Sequence, residues 1–356
     1  METKIVKIDL DDIENNKKAI KNAADIICGG GIVAFPTETV YGLGGDATNP
    51  HSAKKIYAAK GRPSDNPLII HISRPEEAEE YTYTSELYYR LAERFMPGPL
   101  TVVMQARDSI PRETRGGLDT VAVRCPSHPI ANLLISITGK PIAAPSANLS
   151  GSPSPTCSSH VIDDMTGRID MIIDGGECDI GLESTIVKLN DDNKSMTLLR
   201  PGKITIDELA CLGDVYVADA VTDRLAEGQV ALSPGMKYRH YAPEAPLVLL
   251  DGEPTEIVNY IVSDGKDRYA VICYSEDMDY FSSKLTNSEI YILGAKENIN
   301  EQAHQLFAIL RDVDKHSYDK IYAPLPSRDG VGLALYNRMI RAAAHTIINL
   351  RQGRNG

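Results

Sequence analysis

Ile20, Ala23, Ala24 and Ile27 recur at helical spacing and run into Gly29, Gly30 and Gly31, which predicts a helix over about 15–28 with a glycine stop. The apolar run 32–35 that follows ends at Pro36 and opens into Thr37, Glu38 and Thr39, the pattern of a buried strand emptying into a polar turn. Helices are predicted next at 52–60 and 85–95, with strands at 68–72, 100–105 and 121–124. Ser127 is placed to cap a helix bearing Ile130, Leu133, Leu134 and Ile137, which stops at Gly139. Strands fit 141–145, 171–174, 185–189 and 196–199, and the RPGK run at 200–203 closes a first body.

Residues 206–245 read differently, as a connector: a helix-like stretch, a polar segment containing glycine, and the basic run SPGMKYRHYAPEAP at 233–246. Strands at 247–250, 269–274, 290–293 and 321–324 then alternate with helices ending near 261, spanning 300–313, and running through Leu335, Met339 and Ile348. That alternation predicts a small doubly wound α/β domain. The expected organisation is therefore α/β throughout, with domains at 1–205 and 246–356 joined by the connector 206–245.

Length agrees with this division, because 356 residues exceed what one small core organises. A formal charge of −12 repels phosphate backbones, so no stable DNA binding is expected and a polyanion would need a local basic pocket. The six cysteines lack the paired short spacing of zinc or redox motifs and read as free thiols, with no metal-ligating set. The opening METKIVKIDLDDIENN is too polar for a signal peptide, and no apolar run approaches the roughly 20 residues that span a bilayer; a cytoplasmic protein without membrane contact is expected.

Neither GxxxxGK[ST] nor a GxGxxG after a strand occurs, so a nucleotide site must be built another way. Lys60 and Arg62 flank Gly61 at a helix end and could both face one phosphate chain, or serve as an ordinary solvated surface that complements the helix dipole. Asn66 and His71 flank the next apolar strand. Thr120 and Arg124 share one face of the strand TVAVR, where the arginine needs either an ion-pair partner or a substrate carboxylate to fork. Ser146, Asn148, Ser150 and Ser154 follow a buried strand in a stretch that by composition alone reads as a linker. Ser184 and Thr185 beside Glu183, and Arg200, complete the candidates. No GxSxG turn and no Cys/His pairing points to a covalent nucleophile; cations, hydroxyls and amides suit positioning and charge stabilisation, which phosphoryl and nucleotidyl transfer mainly require.

In sequence order, FPTETVYGLG at 35–44, KGRPSDNPL at 60–68, PGPLT at 97–101, VAVRCP at 121–126, APSANLSG at 144–151, ESTIV at 183–187 and SPGMKYRHYAP at 233–243 resemble the two-domain threonylcarbamoyl-AMP synthases. The resemblance implies a YrdC-like catalytic domain, a twisted mixed sheet with a concave site, linked to a Rossmann-like domain. It implies a nucleotidyltransferase that converts L-threonine, bicarbonate or CO2, and ATP into L-threonylcarbamoyladenylate and pyrophosphate, for a downstream threonylcarbamoyl transferase complex acting on tRNA. It also implies that Thr39, His71, Arg124, Ala144 and Ser184 surround threonine, with Arg124 on its carboxylate. Lys60, Arg62, Asn66, Thr120, Ser146, Ser154 and Arg200 would hold ATP, Lys60 and Arg62 in the catalytic role, with Tyr238, His240 or Tyr241 of the connector touching the nucleotide. Mg2+ would ride on the triphosphate, held by phosphates and water.

Two rival readings are weaker. A carbamoyl-transfer protein of the hydrogenase-maturation type would carry an acylphosphatase module and paired-cysteine zinc motifs, and neither is visible. An RNA-binding protein without chemistry would use a patch of Lys60, Arg62, Arg115, Arg124, Arg200, Lys237 and Arg239 against the overall negative charge.

Overall fold

The structure is a computed structural model describing residues 2–9, 12–223 and 241–351, which fall into two compact units: 2–150 with 154–223, and 151–153 with 241–351. In the first unit, helix α1 (Ile13–Cys28) buries Ile20, Ala23, Ala24 and Ile27, the stripe that its spacing predicts, and Gly30 leaves it at a left-handed φ of 79°. Strand β2 (Val33–Phe35) then delivers the 36–41 turn and reverses into β3 (Gly42–Asp46). This second strand lacks β-branched residues and was not legible. Its glycines are there for close approach: a Cβ on Gly44 would lie 2.6 Å from the Phe35 ring and 2.7 Å from Ile142.

With β1 (Lys4–Lys7), β4 (Ile69–His71), β5 (Leu100–Gln105), β6 (Thr120–Arg124), β7 (Ile142–Ala143), β8 (Met171–Asp174), β9 (Thr185–Leu189), β10 (Ser195–Arg200) and β11 (Asp214–Val217), these strands form one mixed sheet. Its order is β1-β8-β2-β3-β7-β4-β6-β5-β9-β10-β11. Register at the centre positions the site. His71 of β4 and Thr101 of β5 both stand opposite Arg124 of β6, and Thr101 also stands opposite Ile186 of β9. Behind one half of the sheet, α1 packs with α4 (Pro129–Thr138) around Val33, Phe35, Ile142 and Met171.

Two expectations are corrected in this unit. Helix α4 starts at His128 as N-cap with Pro129 at the first position, and no side-chain cap is made by Ser127; proline's fixed φ opens the helix instead. Residues 206–223, expected in the connector, extend the first sheet: Thr205 and Glu208 form a capping box that starts α6 (Ile206–Ala210), and β11 pairs in parallel with β10. The connector positions Tyr238 and His240 lie outside the described residues.

In the second unit, β12 (Leu247–Asp251), β13 (Tyr269–Tyr274), β14 (Ser288–Gly294), β15 (Lys320–Pro324) and β16 (Ile347–Asn349) form an all-parallel sheet ordered β14-β13-β15-β12-β16. Helices α7 (Pro254–Asp264) and α8 (Met278–Lys284) cover the face bearing Val248, Leu250, Val271, Cys273 and Tyr322. Helices α9 (Ile299–Val313) and α10 (Gly332–Ala342) pack on one another. The last helix ends at Ala342, short of Ile348: Ala344 and His345 take φ of 48° and 62°, which breaks the helix and turns the chain into β16.

Candidate active site

The 36–41 turn is organised by Thr37. Its hydroxyl donates to the Val40 carbonyl at 2.7 Å, accepts the backbone N–H groups of Thr39 and Val40 at 3.2 and 3.3 Å, and lies 2.9 Å from the Thr39 hydroxyl. A threonine turn of this kind fixes Thr39 and Glu38 in place without help from the sheet ladder.

Glu38 supplies what sequence reasoning left open for Arg124. The two side chains pair at 2.8 Å and are 6% and 5% exposed, so the strand arginine has an ion-pair partner at the position where it could also meet a substrate carboxylate. Burial pushes the Glu38 carboxyl up, but the charge and hydrogen bonding of Arg124 outweigh this and hold it below the usual carboxylate range. His71 is buried next to Arg124, and these two causes push its pKa from 6.5 to about 3. Its Nδ1 lies 3.2 Å from the Ile69 carbonyl, which makes Nδ1–H the donor and leaves a neutral ring with Nε2 as acceptor.

From Thr101 the network crosses to the last strands. The Thr101 and Ser184 hydroxyls lie 2.7 Å apart, and Arg200 donates Nε to the Ser184 carbonyl and Nη2 to its hydroxyl, both at 3.0 Å. Next to Ser184, Glu183 accepts the Ser154 hydroxyl at 2.6 Å. Gly202 follows Arg200, and a Cβ there would meet the Thr185 backbone nitrogen at 2.4 Å, so this turn closes tightly on the 183–185 segment.

Lys60 ends α2 (Pro50–Lys60), where Gly61 takes a left-handed φ of 61°. The Lys60 ammonium is buried and donates to the carbonyls of Ser146 and Asn148 at 2.5 and 2.6 Å and to Asn148 Oδ1 at 3.3 Å. The Ser/Pro-rich 144–156 stretch is therefore no slack linker: it is anchored on a buried cation, and Ser146 bridges back to Gly42. Arg62, half-buried, donates to the carbonyls of Asn66 and Pro67 at 3.3 and 3.1 Å. Asn66 is buried with its Oδ1 unmatched by any donor among the described residues, a polar atom that a ligand N–H or O–H would satisfy.

The structure thus gathers most of the sequence candidates into two groups. Arg124 and His71 are neighbours, tied through Thr101 to Ser184 and Arg200; Lys60, Ser146, Arg62 and Asn66 form the other group. Ala144, buried, binds its backbone N–H to Ile69 at the end of β7. Thr120 is half-buried at the start of β6, opposite Gln105 and in neither group. Tyr241 belongs to the second unit, where its ring lies 5.0 Å from Phe307 of α9. Glu38, Thr101 and Asn148 were not assigned a role from sequence. Glu38 could have been found from the need of a strand arginine for a partner, and Thr101 from its alternation along β5.

A mixed sheet whose strand ends carry buried cations, hydroxyls and amides, joined in one chain to a separate parallel α/β unit, is the two-domain architecture that the resemblance implies. Comparison with known proteins makes this particular. Residues 25–202 match the Sua5/YciO/YrdC family, described as "Telomere recombination", and residues 204–344 match the "Threonylcarbamoyl-AMP synthase, C-terminal domain" family. The chain is 42% identical to the threonylcarbamoyl-AMP synthase of Bacillus subtilis, covering 98% of this chain and 100% of that protein. It is also 42% identical to that of Pyrococcus abyssi, covering 93% and 96%. The crystal structure of P. abyssi Sua5 complexed with L-threonine superposes with a TM-score of 0.87 at 40% identity, covering 98% of this chain and 99% of that one. The chain belongs to the threonylcarbamoyl-AMP synthase family.

Proposed function

We propose that the chain makes L-threonylcarbamoyladenylate from L-threonine, bicarbonate and ATP. The amine of threonine forms an N–C bond to bicarbonate or CO2; from bicarbonate, water leaves, and from CO2, the amine gives up a proton to solvent. An oxygen of the resulting carbamate attacks the α-phosphorus of ATP, and the bond from that phosphorus to the β-phosphate bridging oxygen breaks to release pyrophosphate.

In this reading Arg124 forks the threonine carboxylate, sharing its guanidinium with Glu38, while neutral His71 offers Nε2 as an acceptor without adding a second buried cation. Thr39, Ala144 and Ser184 are the further proposed threonine contacts. Lys60, Arg62, Asn66, Ser146, Ser154 and Arg200 face the triphosphate and ribose, with Thr120 at the margin. Lys60 acts chiefly by holding the 146–148 backbone, and Arg62, half-exposed, is the cation that can turn toward phosphate. Tyr238, His240 and Tyr241 stay as proposed nucleotide contacts. The single observation that carries the reading is the buried Arg124–Glu38 pair beside a neutral histidine: a fixed guanidinium at a strand end is the chemistry that recognises a small carboxylate.

The nucleotide substrate is MgATP. Among the described residues no three His, Cys, Asp or Glu side chains are grouped to cage a metal, and Glu38 and Glu183 are committed to Arg124 and Ser154; the ion's ligands in this reading are phosphate oxygens and water. The product is a mixed anhydride, prone to hydrolysis, so a tRNA-modifying threonylcarbamoyl transferase complex is the proposed recipient and the cytoplasm the proposed compartment. Among the described residues no helix is long and apolar enough to cross a membrane. The RNA-binding alternative loses its basis among these residues, since Lys60, Arg115, Arg124 and Arg200 are buried rather than arrayed as a surface stripe.

Mass spectrometry of a reaction with isotopically labelled bicarbonate tests the reading. The expected species carries threonine, one labelled carbonyl and AMP; formation of ADP or free AMP alone, with no threonine-containing adenylate, would sink it.

A further inference from the structure

Three parallel strands of the second unit bring their carboxyl ends to one cavity of about 240 Å³, and the loops after the other two complete it. Leu250 and Asp251 come from β12, Cys273 and Tyr274 from β13, and Tyr322 and Pro324 from β15. Lys296 and Arg351 follow two residues after β14 and β16. In open α/β sheets the crevice at the carboxyl ends of the strands is where ligands bind.

The lining has a definite chemistry. Ile257, Val271, Phe281 and Tyr322 give it an apolar part. Its charges are three acids and two cations: Asp277 pairs with Lys296 at 3.3 Å, and Arg351 lies 3.1 Å from Asp251 and 3.8 Å from Glu253, so the lining carries one negative charge in excess. In both pairs the acid is the more sheltered partner: Asp277 and Asp251 are 15% and 29% exposed, Lys296 and Arg351 44% and 61%. A phosphate is disfavoured here, because the N-terminus of α7 is already capped by the carboxylates of Glu253 and Glu256. The volume also lies below the roughly 300–1,000 Å³ of sites for drug-sized molecules, so a small ligand matches it better than a dinucleotide.

We propose that this cavity binds a free α-amino acid with an apolar side chain. Its ammonium group meets Asp251 and Asp277, its carboxylate meets Lys296 and Arg351 at the rim, and its side chain lies against Ile257, Val271 and Phe281. A zwitterion offers a cation to the acids, which outnumber the cavity's cations by one, and an anion to Lys296 and Arg351 at the rim, whereas a neutral ligand of the same size engages neither and an anion meets the excess negative charge.

The test is calorimetric titration of the full chain with L-leucine and L-phenylalanine, repeated with L-threonine at saturation so that the first unit's site is filled. Saturable binding that persists under threonine is expected. It should weaken at least tenfold in Asp277→Asn and in Lys296→Met, and for leucinamide and 4-methylpentanoate, which each lack one charge. The pyrophosphate release of both variants should match that of the unsubstituted chain. Circular dichroism checks the fold, and the solvent-facing Lys296→Met carries the test if Asp277→Asn does not fold. Absence of saturable binding, its loss under threonine, or undiminished binding in the folded variants would overturn the proposal. So would adenosine or inorganic phosphate binding in a manner sensitive to these substitutions while leucine does not.

Discussion

Arg124 and Glu38 tolerate burial only as a pair, because a buried charge left without its partner costs far more than the pair gains. Arg124→Ala is therefore expected to lower unfolding free energy by about 3–5 kcal/mol in urea melts, through the stranded Glu38 carboxylate. Arg124→Lys keeps the charge but loses the planar fork; it should fold and bind L-threonine at least tenfold more weakly by calorimetry. His71 sets a pH dependence with a definite sign. Its folded value near 3 lies below the ordinary 6.5, so between these values the unfolded chain binds the proton more readily. The stability it contributes is complete above pH 6.5 and is lost as pH falls toward 3. Glu38 acts in the same direction but only below its ordinary 4.5. Burial also lowers the His128 pKa from 6.5 and adds to the slope between pH 6.5 and 4.5, so the contribution of His71 is read as the difference between the unsubstituted chain and a His71 variant that keeps His128. The melting temperature of His71→Gln should fall less steeply across that interval than that of the unsubstituted chain. Parallel slopes would mean that His71 is not held neutral in the folded state.

Turns set the site as firmly as the charges do. Gly202→Ala is expected to disturb the 200–202 turn, because the new Cβ would lie 2.4 Å from the Thr185 backbone nitrogen and push Arg200 off Ser184. A cost of about 1–3 kcal/mol in stability follows from such overpacking, with a larger relative loss in turnover than in melting temperature. The long periodic elements were legible in the sequence: α1, β5, β6, β13 and α9 fall where the apolar spacing puts them. What the pattern missed was made by tertiary packing. Strand β3 is built of glycines that let Phe35 and Ile142 approach, β11 is an exposed edge added in parallel to β10, and β16 is a three-residue strand whose sequence continues the preceding helical period. In the site, the hydroxyl, amide and cation candidates were visible as residue types. Lys60 as the anchor of the 146–148 backbone, and Glu38 as partner of Arg124, were not, because each depends on a contact between segments more than 80 residues apart in sequence.

At the scale of the whole molecule, two units of different sheet type share one chain of net charge −12, and the chemistry assigned to the first is distinct from the amino-acid cavity assigned to the second. In the proposed reaction the buried cations of the first unit would neutralise substrate charge locally, and a chain of net charge −12 gains little from long-range attraction of phosphates. Turnover is therefore expected to change less than threefold between 50 and 200 mM KCl, whereas an enzyme relying on a basic surface to collect nucleotide would slow steeply. The central claim is tested most directly by pyrophosphate release from MgATP with bicarbonate, measured with and without L-threonine, in the unsubstituted chain and in Arg62→Ala. Threonine-dependent release that falls by at least tenfold in folded Arg62→Ala is the predicted result. Release at the same rate without threonine, or no release while both substrates bind, would contradict it.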